Sequence, residues 1–201
     1  MAEMPALFVK KLTYFYADQP VLSDLALSLQ FGEGLLVQGH NGSGKSTLIK
    51  LVAGLLMPTE GQIEWHPSQT LAFLGHKNGL KHDLTVWENL SYSLRLQGQV
   101  LTAQAMEVLE ALALVPIKDQ ITRFLSFGQK RKVALARIFL MNKSAWLLDE
   151  PLVGLDQQSL AYCLEQFQAH LNKGQSLMMT HHGESPLHTL RVMHLDKQHA
   201  E

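Results

Sequence analysis

Gly39-His40-Asn41-Gly42-Ser43-Gly44-Lys45-Ser46, with Thr47 next, is a run whose residue types define a chemistry. Its glycines let successive backbone N–H groups turn inward with no Cβ in the way, which suits an anion with several oxygens. Lys45 adds a positive charge able to reach the outer phosphates, and the Ser46 hydroxyl can ligate Mg²⁺. The apolar run Leu35-Leu36-Val37 before it reads as a buried strand. The segment Ser46 to Ala53 after it reads as a helix stopped near Gly54, whose N-terminus favours negative charge.

Further along, Ala145-Trp146-Leu147-Leu148 reads as an apolar strand delivering Asp149 and Glu150 to its carboxyl end, where open α/β sheets place their ligands. Asp149 would hold Mg²⁺, directly or through water, and Glu150 would polarise an attacking water. With Lys45 and Ser46, these carboxylates complete a set able to bind ATP with Mg²⁺ and hydrolyse it.

The elements that must position this chemistry alternate along the chain. Leu7 to Leu29 reads as a small antiparallel sheet around an Asp18-Gln19-Pro20 turn. Between about 77 and 128 the pattern turns helical. It gives Glu88 to Leu96, then Thr102 to Val115 with Met106, Leu109, Leu112 and Ala113 on one face, stopped by Pro116. A helix from about Gln129 to Met141, a strand at Ala145 to Leu148, a helix from about Gln157 to Leu171 and a strand at Ser176 to Thr180 follow. Such alternation predicts an α/β fold with a mainly parallel sheet covered on both faces.

With 201 residues the chain suits one domain. Lys+Arg 17 against Asp+Glu 18 gives no electrostatic reason to expect nucleic acid. The start shows no basic segment followed by an apolar one, and Arg137 and Lys143 break the 133–148 stretch, so neither a secretory leader nor a spanning helix is expected. Cys163 is the sole cysteine, which fits a reducing compartment. His181-His182 is not expected to be a metal site, because neighbouring strand residues point to opposite faces and no Cys or acidic cluster completes a ligand set.

Leu125-Ser126-Phe127-Gly128-Gln129, followed by a helix carrying Lys130, Arg131, Lys132 and Arg137, is not a general feature of phosphate-loop proteins. With it the chain resembles the ATP-binding-cassette (ABC) family over nearly its whole length. The resemblance implies an α/β P-loop NTPase cassette spanning 1–201, with an N-terminal antiparallel β subdomain and a helical insertion at about 77–128. It also implies a homodimer of cassettes in the ATP-bound state, closed head to tail. Ser126 and Gly128, with Gln129 in the same loop, would then meet the γ-phosphate held by the other copy, and Asp156 in Val153-Gly154-Leu155-Asp156 would reach the dimer interface. Phe127 stands where the commonest signature has glycine. His181 would be the switch histidine on the γ-phosphate. Tyr16 lies in the register where cassettes place a ring against adenine, and strand packing of Tyr14, Phe15 and Tyr16 is the alternative.

Cassettes normally carry glutamine where this chain has His76, in Leu74-Gly75-His76-Lys77-Asn78-Gly79-Leu80-Lys81. An imidazole can also accept a proton from water or ligate a metal, but it is shorter and titrates near neutrality; a solvated loop histidine is the alternative. This segment, with Leu84-Thr85 and Glu88-Asn89-Leu90, is similar to the ATPase subunits of bacterial haem exporters of cytochrome c maturation, the Ccm-type family. That implies integral membrane subunits as partners, a peripheral place on the cytoplasmic face of the inner membrane, and no direct haem binding by this chain. The alternatives are a cassette serving a different exporter, and a soluble cassette acting on ribosomes or DNA.

Overall fold

The computed structural model describes residues 4–195; residues 1–3, part of the start read as lacking a leader, lie outside the described residues. The described chain divides into two compact units, 4–73 with Lys143–Glu150 and 168–195, and Leu74–Asn142 with Pro151–Phe167.

In the first unit β1 (Leu7–Tyr16), β2 (Gln19–Leu29) and β4 (Glu60–Trp65) form an antiparallel sheet in the order β2-β1-β4. A five-stranded sheet has the order β5-β6-β7-β3-β8, from β5 (Leu71–Leu74), β6 (Ala145–Leu148), β7 (Ser176–Thr180), β3 (Gly34–Gln38) and β8 (Leu190–His194). The pairs β3/β7, β3/β8 and β6/β7 are parallel. Every residue of β6 and β7 is buried, as is all of β3 except Gln38, so these read as unbroken apolar runs because both faces are covered. Helix α1 (Lys45–Val52) turns Leu48, Ile49, Leu51 and Val52 inward, and one core joins them to Leu7 and Leu12 of β1, Leu35 and Val37 of β3, Leu147 and Met178. The β1–β2 connection turns at Ala17, whose φ is 52°.

The second unit is helical. Helix α2 (Val86–Arg95) opens on a capping box, the Thr85 side chain accepting from the Glu88 N–H while Glu88 accepts from the Thr85 N–H. Helix α3 (Ala103–Ala111) is four residues shorter at its end than the sequence predicts. Ala113 takes a left-handed φ of 54°, and Pro116 sits in a separate 3-10 turn, Val115–Ile117, instead of stopping α3. The buried face is Ala105, Val108, Leu109 and Leu112, at i, i+3, i+4 and i+7, and Met106 is 38 % exposed. Helix α4 (Phe127–Leu140) starts two residues earlier than expected because Ser126, not a later residue, caps it. Helix α5 (Gln157–Asn172) follows. No described helix is long and apolar enough to cross a membrane.

Candidate active site

Sheet order concentrates the chemistry of the first unit. Because β7 lies between β6 and β3, the carboxyl ends of three adjacent parallel strands carry, side by side, Asp149-Glu150, Thr180-His181-His182 and the loop from Gly39. Leu148 pairs with Met179 and Val37 with Thr180, so the strands end at nearly one level.

The loop is built around absent side chains. A Cβ on Gly39, whose φ is 152°, would stand 2.4 Å from the Leu195 carbonyl oxygen and 2.6 Å from Ser43 Oγ. Only glycine permits this close approach. Lys45, at the start of α1, is 7 % exposed, and its Nζ donates to the carbonyls of Gly39 at 2.8 Å and His40 at 2.9 Å. The ammonium is thereby held inside the loop. A cavity of about 220 Å³ is lined by Val21, Asn41, Gly42, Gly44, Lys45, Ser46, Thr47 and, just beyond β6, Glu150. Its donors are hydroxyls, backbone N–H groups and one buried cation, with a carboxylate opposite, which fits a phosphate chain and an attacking water. Ser43 Oγ is buried with no partner among the described residues, as expected of a cradle completed by its ligand. Ser46 and Asp149, the latter 2 % exposed, supply the oxygen donors that suit Mg²⁺.

Thr180 bonds to both acidic residues, the side chain of one and the backbone of the other. Its fully buried hydroxyl accepts from the Glu150 backbone N–H at 2.8 Å and donates to Asp149 Oδ1 at 2.8 Å. Glu150 has a left-handed φ of 49°, uncommon for a residue with a Cβ, so the bond from its N–H counters a local cost. At the Glu150 carboxylate stands His182, whose Nε2 lies 2.8 Å from Oε1. From the sequence it is His181 that stands out, and no local pattern marks His182 as a partner of Glu150. The His181 ring is half-buried, and its pKa is pushed below the ordinary value by burial and then by His182, against an opposing pull from Glu150. Among the described residues no three or more His, Cys, Asp and Glu side chains gather as a metal-ligand cluster.

The aromatic residues at the end of β1 separate. Tyr14 packs against the core, whereas Tyr16 is 74 % exposed, so strand packing accounts for Tyr14 and leaves the face of Tyr16 open for stacking.

In the second unit Ser126 and Gln129 form a capping box on α4. The Gln129 N–H donates to Ser126 Oγ at 3.2 Å and the Ser126 N–H to Gln129 Oε1 at 2.9 Å. The S-x-x-Q spacing is a capping signature and could have been read as one. Gly128 is required by contact, since a Cβ there would stand 2.5 Å from the Gly154 carbonyl oxygen. Phe127 covers Gly154, whose own added Cβ would meet the ring at 3.1 Å, so the departure at this position fills space over the neighbouring loop. Asp156 is engaged within its own chain. It accepts from the Ser159 N–H at 2.9 Å and pairs with Lys132, which, ahead of the Ser159 contact, holds its pKa down at about 2. His76 is exposed and lines a cavity of about 550 Å³ with Lys77, Leu80, His82, Phe127 and Lys130. Its loop is fixed from α4: Arg131 Nη1 donates to the Gly75 carbonyl and Asn78 Oδ1, both at 2.9 Å, and Arg137 Nη1 to the Gly79 carbonyl at 2.8 Å.

The chain is similar to known proteins in sequence and in fold. A family model described as ABC transporter matches residues 22–153. The chain is similar to the cytochrome c biogenesis ATP-binding export protein CcmA of Gluconobacter oxydans, 39 % identical over 183 residues that cover 91 % of this chain and 84 % of the relative. The CcmA of Haemophilus influenzae is 31 % identical over the whole of both chains. Among solved structures, an ABC transporter ATP-binding protein of Pyrococcus furiosus superposes with a TM-score of 0.81 at 25 % identity, over 94 % of this chain and 96 % of that one.

Proposed function

The chain belongs to the ABC transporter family of ATP-binding subunits, in its CcmA branch, and from that premise we propose that it hydrolyses ATP to power a haem-handling step of cytochrome c biogenesis. The observation that carries the hydrolytic reading is the meeting of the phosphate loop, Asp149-Glu150 and Thr180-His182 at the ends of three adjacent strands.

The Gly39–Thr47 loop and Lys45 bind the phosphates, and Tyr16 offers its exposed ring to adenine. Ser46 and Asp149 would hold Mg²⁺, which when bound neutralises charge on the phosphate oxygens. Glu150 takes a proton from water as its oxygen bonds to the γ-phosphorus and the bond from that phosphorus to the β–γ bridging oxygen breaks, the electron pair leaving with ADP. His181 hydrogen-bonds the γ-phosphate. Two copies close head to tail, each presenting Ser126, Gly128 and Gln129 at the exposed N-terminus of α4 to the nucleotide of the other, with Asp156 beside it and His76 in the loop that senses the nucleotide. Integral membrane subunits on the cytoplasmic face of the inner membrane receive the closing motion; this chain itself binds neither haem nor nucleic acid.

Glu150→Gln should retain ATP binding while turnover is suppressed by about 100-fold or more, as for loss of a general base. Lys45→Ala should weaken binding itself. Wild-type turnover in Glu150→Gln would remove the assignment. Purifying that variant from membranes with ATP present and identifying co-purifying subunits by mass spectrometry tests the haem reading. Recovery of a permease unrelated to cytochrome c maturation would discard it while keeping the ATPase.

A further inference from the structure

The turn after β7 is anchored at two points. His182 Nε2 lies 2.8 Å from Glu150 Oε1, and the Gly183 carbonyl accepts from Gln38 Nε2 at 2.6 Å, at the end of the strand that opens into the phosphate loop. Thr180 and His182 are two residues apart and act on the same residue. Thr180, the last residue of β7, holds the Glu150 backbone N–H, and His182, in the bend that follows, holds its carboxylate. A carboxylate oxygen accepts, so Nε2 carries the hydrogen. The His182 side chain is 46 % exposed and adds little to any core, so packing does not account for its placement; Glu150 also lines the phosphate-loop cavity.

We propose that His182 is a positioning residue for hydrolysis: by donating to Oε1 it fixes the rotation of the Glu150 carboxylate, and so the direction in which the base meets water. The proposal rests on Glu150 being the general base. A carboxylate on a flexible two-methylene stem has several staggered rotamers, and a base acts only within hydrogen-bond reach of its proton. Tying one oxygen to a turn that is itself tied to β3 selects one of them before the nucleotide arrives. ATP affinity comes from the loop and Lys45 and is untouched. The signature is therefore a loss in kcat with KM for ATP unchanged.

Steady-state ATP turnover of the full chain tests this. His182→Ala should lower kcat by about tenfold at constant KM, the size of one hydrogen bond to a charged group on a partly exposed site. His182→Gln, whose side-chain amide donates from a similar distance, should restore most of it. In a Glu150→Gln background His182→Ala should cost nothing further, because the group it orients is gone. Unchanged or raised kcat in His182→Ala overturns the proposal, as does equal loss in the Ala and Gln variants. Wild-type turnover in Glu150→Gln alone overturns the base assignment, a result distinct from a silent His182.

Discussion

Replacing Thr180 by valine removes one oxygen atom and little else. Thr and Val share shape and β-branching, so the strand preference and the packing of this fully buried position are kept. What is lost is the bond to Asp149 Oδ1 and the bond from the Glu150 N–H, both 2.8 Å. The first is charge-assisted and net worth about 1.5–3 kcal/mol, the second about 1 kcal/mol, so the variant should be less stable by roughly 2.5–4 kcal/mol. Urea unfolding followed by circular dichroism would read this as a lower midpoint at unchanged slope. Turnover should fall as well, since Glu150, at its left-handed φ of 49°, loses the acceptor that holds its backbone. Thr180→Ser keeps the oxygen and should retain more activity than Val, although it loses a buried methyl. A valine variant as stable and active as the wild type, with the serine variant worse, would show that methyl packing and not the hydroxyl governs this position, and the reasoning would fail.

Two further outcomes are expected. His170 is 3 % exposed, stacks on Trp146 with ring centroids 3.7 Å apart, and is held down to about 4 from the ordinary 6.5, chiefly by burial. The unfolded chain therefore binds more protons between pH 6.5 and 4; the contribution, about 3 kcal/mol, is complete above 6.5 and is lost as pH falls through 4, so stability of wild type relative to His170→Phe should decline over that window and a flat difference would refute it. Gly128→Ala should impair nucleotide turnover and lower stability by about 1–3 kcal/mol, the cost of overpacking, because its Cβ would stand 2.5 Å from the Gly154 carbonyl oxygen; a melting temperature equal to wild type would show that the two loops separate freely.

The phosphate loop and the two central strands were legible because their signals are local, whereas β4 and β5 were not anticipated. Gly39 to Ser46 needs only a strand before it and a helix after it, and Leu35-Leu36-Val37 and Leu48-Ile49 provide both within a few residues. The strands Ala145–Leu148 and Ser176–Thr180 were readable to the residue because burial on both faces leaves an uninterrupted apolar run bounded by polar ends. The end of α3 was not, because Pro116 is a strong local breaker while the actual stop, a left-handed Ala113, carries no sequence mark. The capping box in Ser126 and Gln129 was legible by spacing and went unread beneath the stronger motif.

What the sequence by itself determined is the inventory: a phosphate loop, a carboxylate pair at a strand end, an anion-facing helix start, and the family to which their order belongs. What tertiary structure alone decided is who meets whom. Strand β7 inserts between β3 and β6, and this long-range pairing, invisible to any local pattern, puts the Thr180 hydroxyl between Asp149 and the Glu150 backbone and the His182 ring on the Glu150 carboxylate. Periodicity fixes which residues share a face of one element, but the order in which parallel strands align depends on the whole packed core, and so does which histidine meets the Glu150 carboxylate.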